Sequence, residues 1–232
     1  MVTISESMSR NRSTATTSWW SRAAVIAGPL FLGIAALLVF SVAPTISGSD
    51  APAKISDFYS DNEESNFLLM AEPLALVGMF AFVWLVGRIR AAIAPVDGNE
   101  SRAWTVFGGG IAFAVLVGTS LTAHTTVAGT SAFSSSFEVD PNTAMLFSHF
   151  GYVSLAAAMI GAAVMAFATA GALRAMGRTA LMRATYVVSA LGLIANVFVY
   201  APLVIYLVWA VIVGLAVVRS DHDQPESKKQ GG

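Results

Sequence analysis

Long uncharged stretches alternate with short polar ones along almost the whole chain. Apolar segments cover residues 23–43, 66–87, 146–173 and 184–218, and a further segment opens at Trp104 and turns polar from Thr119. A helix needs about 20 apolar residues to cross the hydrocarbon core of a bilayer. The pattern therefore predicts an all-α, polytopic bundle of transmembrane helices.

The last apolar stretch is too long for one span. Residues 184–218 would form a helix of about 52 Å, against a hydrocarbon core of about 30 Å. Tyr200-Ala201-Pro202 lies near the middle, and proline disfavours helical geometry in the residue before it. We therefore divide the stretch there into two antiparallel spans, which makes six in total.

The distribution of basic residues gives this bundle an orientation. With six spans, both termini and the loops after spans two and four share one side, and of the 13 Lys and Arg residues only Lys54 lies opposite. Basic residues favour the cytoplasmic side, so both termini are predicted to be cytoplasmic. The predicted organisation is a disordered tail over 1–22, a six-span domain over 23–219 and a disordered tail over 220–232. The first loop, 44–65, is acidic.

Composition narrows the functional classes. The chain is 56% hydrophobic and 12% charged, so no separate soluble domain fits beside the spans. Its scattered arginines form no basic patch, and nucleic acid is not an expected partner. The absence of cysteine excludes thiolate metal sites and cysteine nucleophiles. Gly108-Gly109-Gly110 lies inside an apolar span, where it favours close helix packing over phosphate binding.

Polar side chains within the spans concentrate near the outer face. Such groups are costly in a membrane and usually face the bundle interior or a water-filled cavity. We therefore predict one outward-opening polar pocket, which binds a small ligand or responds to protons. Its candidate residues are Glu72, His124, His149, Tyr152, Asn196 and Tyr200.

Each of these residues also has a structural interpretation. Glu72 can hydrogen-bond within its helix, His124 can lie at the interface, and His149 can bond between helices. Asn196 and Tyr200 can join helices or lie in the aromatic belt. Nearby, the hydroxyls of Ser120 and Thr122 are expected to bond back to their own helix.

Two cofactors are compatible with these residue types, although none is predicted. Glu72, His124 and His149 are the metal candidates, since two histidines and a glutamate match a catalytic zinc site with an open position. The two histidines on neighbouring helices could instead ligate a haem on its two axial sides. Glu72 and a histidine could also form a proton-responsive pair.

The six-span layout, with its first span opening Ala27-Gly28-Pro29-Leu30-Phe31-Leu32-Gly33, resembles uncharacterised integral membrane families of bacteria. The resemblance implies an inner-membrane location and no particular activity. We expect a non-enzymatic protein in contact with the lipid bilayer. The alternatives are a small transporter that works as a homo-oligomer, because six spans make a thin barrier, and a metal- or haem-dependent membrane enzyme or electron carrier.

Overall fold

The structure is a computed structural model that describes residues 23, 25–43, 50–60, 62–97, 100–134, 138–194 and 200–222. Within these ranges the side chains of residues 60, 62–65, 96–97, 200 and 218–222 are not described. The predicted tail over 1–22 lies outside the described residues, as does most of the tail over 220–232. The last described helix continues to His222, three residues into that second tail.

The described part of the chain is helical and contains no strand, which confirms the all-α prediction. Its helices are α1 (Val25–Val42), α2 (Ala51–Ser60), α3 (Asn62–Asp97), α4 (Glu100–Phe133), α5 (Pro141–Ala175), α6 (Thr179–Ile194) and α7 (Tyr200–His222).

Every long helix runs opposite to the helix that precedes it in the bundle. Between α3 and α4, for example, Gly110 meets Val86 at one level while Gly129 meets Leu69 at another. The numbering rises on α4 as it falls on α3, so the two helices are antiparallel. Equivalent pairs relate α1 to α3, α4 to α5, and α5 to α6. One end of the bundle therefore collects the start of α3 and α5 together with the end of α1, α4 and α6, and we call this the α2 end.

The centre of the bundle is the α4–α5 pair, where two backbones come close together. A Cβ added at Gly109 would lie 2.8 Å from the carbonyl oxygen of Gly161, and one at Gly161 would lie 2.9 Å from the amide nitrogen of Phe113. Small residues permit such an approach, which replaces side-chain packing with backbone contact. Phe113 also packs on Phe82 of α3, with ring centroids 5.0 Å apart. Both rings are buried.

The division of residues 184–218 into two antiparallel helices is confirmed. The described part of α6 ends at Ile194 and α7 begins at Tyr200. The Nε1–H of Trp209 donates to the hydroxyl of Thr185 (3.0 Å), and the Tyr206 hydroxyl donates to the Ser189 carbonyl oxygen (3.4 Å). The residue numbers rise on α7 while they fall on α6, so the chain reverses between the two helices.

The sequence pattern predicts a loop over 44–65, but within it residues 51–60 form helix α2. Ile55, Phe58 and Tyr59 are buried in a small apolar cluster with residues from α3, α4 and α5. Burial raises the pKa of the Tyr59 hydroxyl to about 12. These three positions lie on one face of the helix, so α2 packs across one end of the bundle, the α2 end.

Helices α3, α4 and α5 extend beyond the predicted spans, with 36, 34 and 35 residues. Each is about 50 Å long or more, which exceeds the hydrocarbon thickness. Four helices are long and apolar enough to cross a membrane, namely α1, α3, α4 and α5. In α6 and α7 the apolar helical stretches are shorter, at Thr179–Ile194 and Ala201–Val217.

Candidate functional site

A buried histidine on α4 is the centre of the candidate site. His124 is only 3% exposed, and its Nδ1 lies 2.8 Å from the carbonyl oxygen of Ser120, one helical turn earlier. A carbonyl oxygen only accepts hydrogen bonds, so we assign the donated proton to Nδ1. In the neutral imidazole Nε2 is then an acceptor.

Aromatic rings from two other helices close around this imidazole. The ring of Tyr152 on α5 packs edge-on at 5.2 Å between centroids, and Phe40 on α1 packs in the same manner at 5.4 Å. Gly151 provides the remaining space on α5, because a Cβ added there would overlap Cε1 and Nδ1 of His124. A side chain at position 151 would therefore push α5 away from α4. Ser120, His124, Gly151, Tyr152 and Phe40 are called the His124 cluster below.

Two polar atoms in the His124 cluster are buried without a hydrogen bond. Among the described residues, neither Nε2 of His124 nor the hydroxyl oxygen of Ser120 has a partner. The predicted bond from the Ser120 hydroxyl to its own helix is therefore not present, although the Ser120 carbonyl does accept from His124. Buried polar groups normally have partners, and an unsatisfied one marks either a cost to stability or a functional position.

The predicted depth of the candidate residues agrees with the structure. Gly151 touches His124, so His149 lies only two residues further towards the α2 end. On α3, Met79 meets Gly118 and Leu69 meets Gly129, which places Glu72 close to the level of His124. All three residues therefore lie at one level of the bundle, near its α2 end.

Their directions around the helices differ from the prediction. His149 is exposed, because it lies about 200° around α5 from Gly151, the residue that faces His124. Glu72 is also exposed, whereas Leu68 and Ala71 on the same helix are buried. The structure thus brings together His124 and Tyr152 but leaves Glu72 and His149 on the outer surface.

The other two candidates cannot be placed in the site. Asn196 lies outside the described residues, and Tyr200 is the first residue of α7 with its side chain outside them. A ligand-binding role for either residue stays a prediction. Tyr206, one to two turns further along α7, is buried against α6.

A metal site is not formed by the described residues. No group of three His, Asp or Glu side chains among them is close enough to hold a metal ion. Glu72, His124 and His149 therefore do not assemble the zinc site considered above, because only His124 faces the interior. For the same reason the two histidines do not face a common gap between α4 and α5 in which a haem could lie.

The two ends of the bundle have opposite charge. The α2 end carries Asp140, which begins α5 and accepts from the amide and hydroxyl of Thr143. These hydrogen bonds lower the pKa of the Asp140 carboxyl. Nearby, Asp50 forms an exposed ion pair with Lys54 at 2.7 Å. The opposite end, called the Arg end below, carries Arg88, Arg90, Arg102, Arg174, Arg178 and Arg183.

An apolar groove of about 390 Å³ lies between α1 and α7. Leu30, Gly33 and Leu37 line it from α1, while Val204 and Val208 line it from α7. A smaller adjoining pocket shares three of these residues and reaches Phe40. Phe40 is thus both a wall of that pocket and a contact of the His124 imidazole.

The sequence pattern missed Gly151 and Phe40 as members of the site. A glycine within an apolar helix signals close packing but does not indicate the partner, and a phenylalanine in a span is indistinguishable from a core residue. The pair Ser120 and His124 carried a usable signal, since residues four apart in a helix are neighbours.

Comparison of the whole chain with protein-family models, curated proteins and solved structures gives no match. The fold alone defines the class of protein: a helical protein with four helices that are long and apolar enough to cross a membrane. The resemblance to uncharacterised six-span bacterial families stays a prediction.

Proposed function

We propose that this chain is a six-span protein of the bacterial inner membrane, with both termini in the cytoplasm. The alternating direction of α1 and α3 to α7 supports this topology, because it gives an even number of crossings. The segregation of charge supports the orientation, because arginines favour the cytoplasmic side and the α2 end is acidic. In this arrangement α6 and α7 are the fifth and sixth spans.

A cysteine-free chain permits a direct test of this topology. Single cysteines at Ser134, between α4 and α5, and at Thr179, at the start of α6, sample the two ends. We expect an impermeant thiol reagent added outside intact cells to label Ser134→Cys and to leave Thr179→Cys unlabelled until the cells are lysed. External labelling of Thr179→Cys would reverse the orientation.

We further propose that the His124 cluster makes this protein proton-responsive. The observation that carries the proposal is the buried Nε2 of His124, which has no hydrogen-bond partner among the described residues. Protonation would convert this acceptor into a donor and place a positive charge between the rings of Phe40 and Tyr152. A proton is favoured over a larger ligand because these rings and Gly151 already occupy the space around the imidazole.

The response would loosen the contact between α4 and α5. A buried donor without an acceptor costs about 1–3 kcal/mol. A free-energy difference of this size changes the ratio of two conformations by about 5- to 150-fold. Outward movement of Phe40 or α5 would let water or a polar group reach Nε2. Since Phe40 also lines the smaller pocket beside the α1–α7 groove, its movement would change that pocket.

Cysteine accessibility at α5 tests this proposal. Ser154 lies one turn from Gly151, is 5% exposed and is outside the His124 cluster. We expect the labelling rate of Ser154→Cys, divided at each pH by that of the loop variant Ser134→Cys, to rise at least about fivefold between pH 8 and pH 5. The division removes the dependence of thiol reactivity on pH.

Variants assign the response to one residue. His124→Gln keeps the volume of the side chain but does not titrate, so its labelling ratio should be independent of pH. His149→Gln is the matched control, since this exposed histidine lies two residues from Gly151, and it should retain the response. Tyr152→Phe should also retain it. A response that survives His124→Gln, or that is lost only in His149→Gln, would contradict the proposal.

A further inference from the structure

A second buried and unpaired nitrogen lies at the Arg end, in the seam between α3 and α4. The guanidinium carbon of Arg90 is 3.9 Å from the centroid of the Trp104 ring. Its Nε is buried and has no hydrogen-bond acceptor among the described residues. Among the described residues its guanidinium contacts the Trp104 ring and forms no ion pair with a carboxylate.

Stacking on the indole holds the plane of this guanidinium in one orientation. Its N–H groups then point outward along the edge of that plane, where an acceptor with two oxygen atoms can accept both hydrogen bonds. Phosphate oxygens match the spacing of that edge, and paired N–H···O bonds to phosphate are among the stronger hydrogen bonds in proteins. The geometry therefore favours a phosphate or phosphodiester group over a single-point acceptor.

The charges around Arg90 also favour an anion. Arg88 and Arg102 lie at the same end of the bundle, and the helix ends nearby carry further arginines but few carboxylates. The carboxylates at this end of α3 and α4 are Asp97, the last residue of α3, and Glu100, which is exposed and one turn before Trp104. Arg88, Arg90 and Arg102 outnumber them, so the net charge here is positive and attracts the headgroups of anionic lipids.

The surroundings distinguish a lipid from a free phosphate. The Trp104 side chain is 52% exposed and packs edge-on against Phe107 at 5.9 Å. Trp84 on the adjoining helix is 42% exposed. Trp104 and Phe107 form an apolar surface directly beside the Arg90 guanidinium, and in the proposed six-span arrangement it borders the bilayer. A ligand with both a phosphate and acyl chains would contact both parts.

We propose that Arg90 and Trp104 form a binding site for the phosphodiester headgroup of an anionic phospholipid, with its acyl chains against Trp104 and Phe107. This site is separate from the His124 cluster, which lies near the opposite end of the bundle. Its test does not depend on proton sensing or on which end faces the cytoplasm.

Tryptophan quenching by brominated lipids measures occupancy of this site. The five tryptophans are reduced to Trp104 and the buried Trp209 by replacing Trp19, Trp20 and Trp84 with phenylalanine. The protein is reconstituted in vesicles with increasing fractions of brominated phosphatidylglycerol or brominated phosphatidylcholine, which share acyl chains. We expect half-maximal quenching at a fraction at least about fivefold lower for phosphatidylglycerol, as a headgroup contact of about 1 kcal/mol implies.

Two arginine variants separate a defined site from general surface charge. Arg90→Gln should abolish the preference for phosphatidylglycerol. Arg88→Gln is the matched control, because it removes the same charge two residues away on α3 and leaves the contact between Arg90 and Trp104 unchanged. It should keep most of the preference. Equal losses in both variants would show only a diffuse field and would overturn the proposal.

Quenching of the parent protein and competition by a soluble phosphate cover two cases: a variant that does not fold, and a site that binds phosphate alone. If Arg90→Gln does not fold, equal quenching of the parent protein by the two lipids would still refute the site, and selective quenching would support it. Soluble glycerol 3-phosphate is added as a competitor. Displacement of phosphatidylglycerol by millimolar glycerol 3-phosphate would show that the site takes the phosphate alone and would refute the role of the acyl chains.

Discussion

Three consecutive glycines on α4 allow the close approach of α4 and α5 to be tested one position at a time. Alanine adds a single Cβ at each position, and the three additions meet different surroundings. At Gly108 the new atom has nothing within 4 Å. At Gly109 it lies 2.8 Å from two backbone atoms of α5, the Gly161 oxygen and the Met165 nitrogen. At Gly110 it meets the flexible side chains of Val86 and Met165.

These distances predict the order of stability. Gly108→Ala should stabilise the protein by about 0.5–1 kcal/mol, because alanine is the better helix former and no atom must move. Gly109→Ala gains the same propensity, but backbone atoms at 2.8 Å must retreat by more than 0.5 Å. A separation of this size removes a quarter to a half of the dispersion energy of each atomic contact that is pulled apart. Overpacking of this kind costs about 1–3 kcal/mol.

Gly110→Ala should fall between the other two variants. The Val86 methyl groups and the Met165 sulfur lie within 3 Å of the added Cβ, but side-chain rotation can relieve part of the overlap. The expected order of stability is therefore Gly108→Ala, the parent chain, Gly110→Ala and then Gly109→Ala.

Unfolding by sodium dodecyl sulfate in mixed micelles, followed by far-ultraviolet circular dichroism, measures these differences. The adjacent variant Gly108→Ala serves as the control for helix propensity. If Gly109→Ala were as stable as the parent chain, or if Gly108→Ala lost as much stability as Gly109→Ala, the backbone contact between α4 and α5 would not determine the stability of these variants.

Two further predictions concern hydrogen bonds. Asp140→Ala should remove hydrogen-exchange protection from the Thr143 amide at pH 7. The hydrogen bonds from Thr143 and Asn142 lower the pKa of the Asp140 carboxyl. The parent chain should therefore keep this cap above about pH 4 and lose it only as the pH falls through that lowered pKa. Unchanged protection of the Thr143 amide in Asp140→Ala would contradict the prediction. Trp209→Phe should cost about 1 kcal/mol in the same micelle titration, because it leaves the buried Thr185 hydroxyl without its 3.0 Å donor. Combining it with Thr185→Val should recover part of that loss, and simple additivity of the two losses would exclude a coupled pair.

Helix positions and their directions along the bundle could be predicted from the sequence. Hydrophobic length predicted the long apolar helices, and the proline at position 202 correctly divided the last apolar stretch into two helices. The common level of Glu72, His124 and His149 also follows from counting residues along antiparallel helices. These properties depend on rise per residue, which is nearly constant.

The directions of side chains around each helix could not be predicted in the same way. Periodicity separates the faces of a helix only when one face is polar, and α5 is apolar or small almost all round. The face that meets α4 is set by Gly151 and Gly161, whose partners are 27 and 48 residues away in sequence, at His124 and Phe113. The sequence pattern therefore predicts that His149 faces the interior, whereas its side chain is exposed on the surface of the bundle.

Helix α2 was missed for a different reason. Acidic residues dominate the sequence of the first loop, 44–65, although α2 itself contains one, Asp57. They obscure the apolar positions Ile55, Phe58 and Tyr59, which form one face of the helix. Their spacing of three and four residues is the signal of an amphipathic helix. A ten-residue helix has little stability alone, so its formation depends on packing against the ends of α3, α4 and α5.

The contact between α1 and α7 has a consequence for biosynthesis. Val25 of α1 touches Gly214, and Leu207 of α7 meets Gly33, so α1 packs against a helix that is synthesised well after it. Until α7 has been synthesised, α1 can contact α3, through the approach of Gly28 to Phe82, and α4, through Phe40 and His124. A nascent chain stalled before α7 would leave one flank of α1 exposed to the insertion machinery, and the synthesis of α7 is the event that covers this flank.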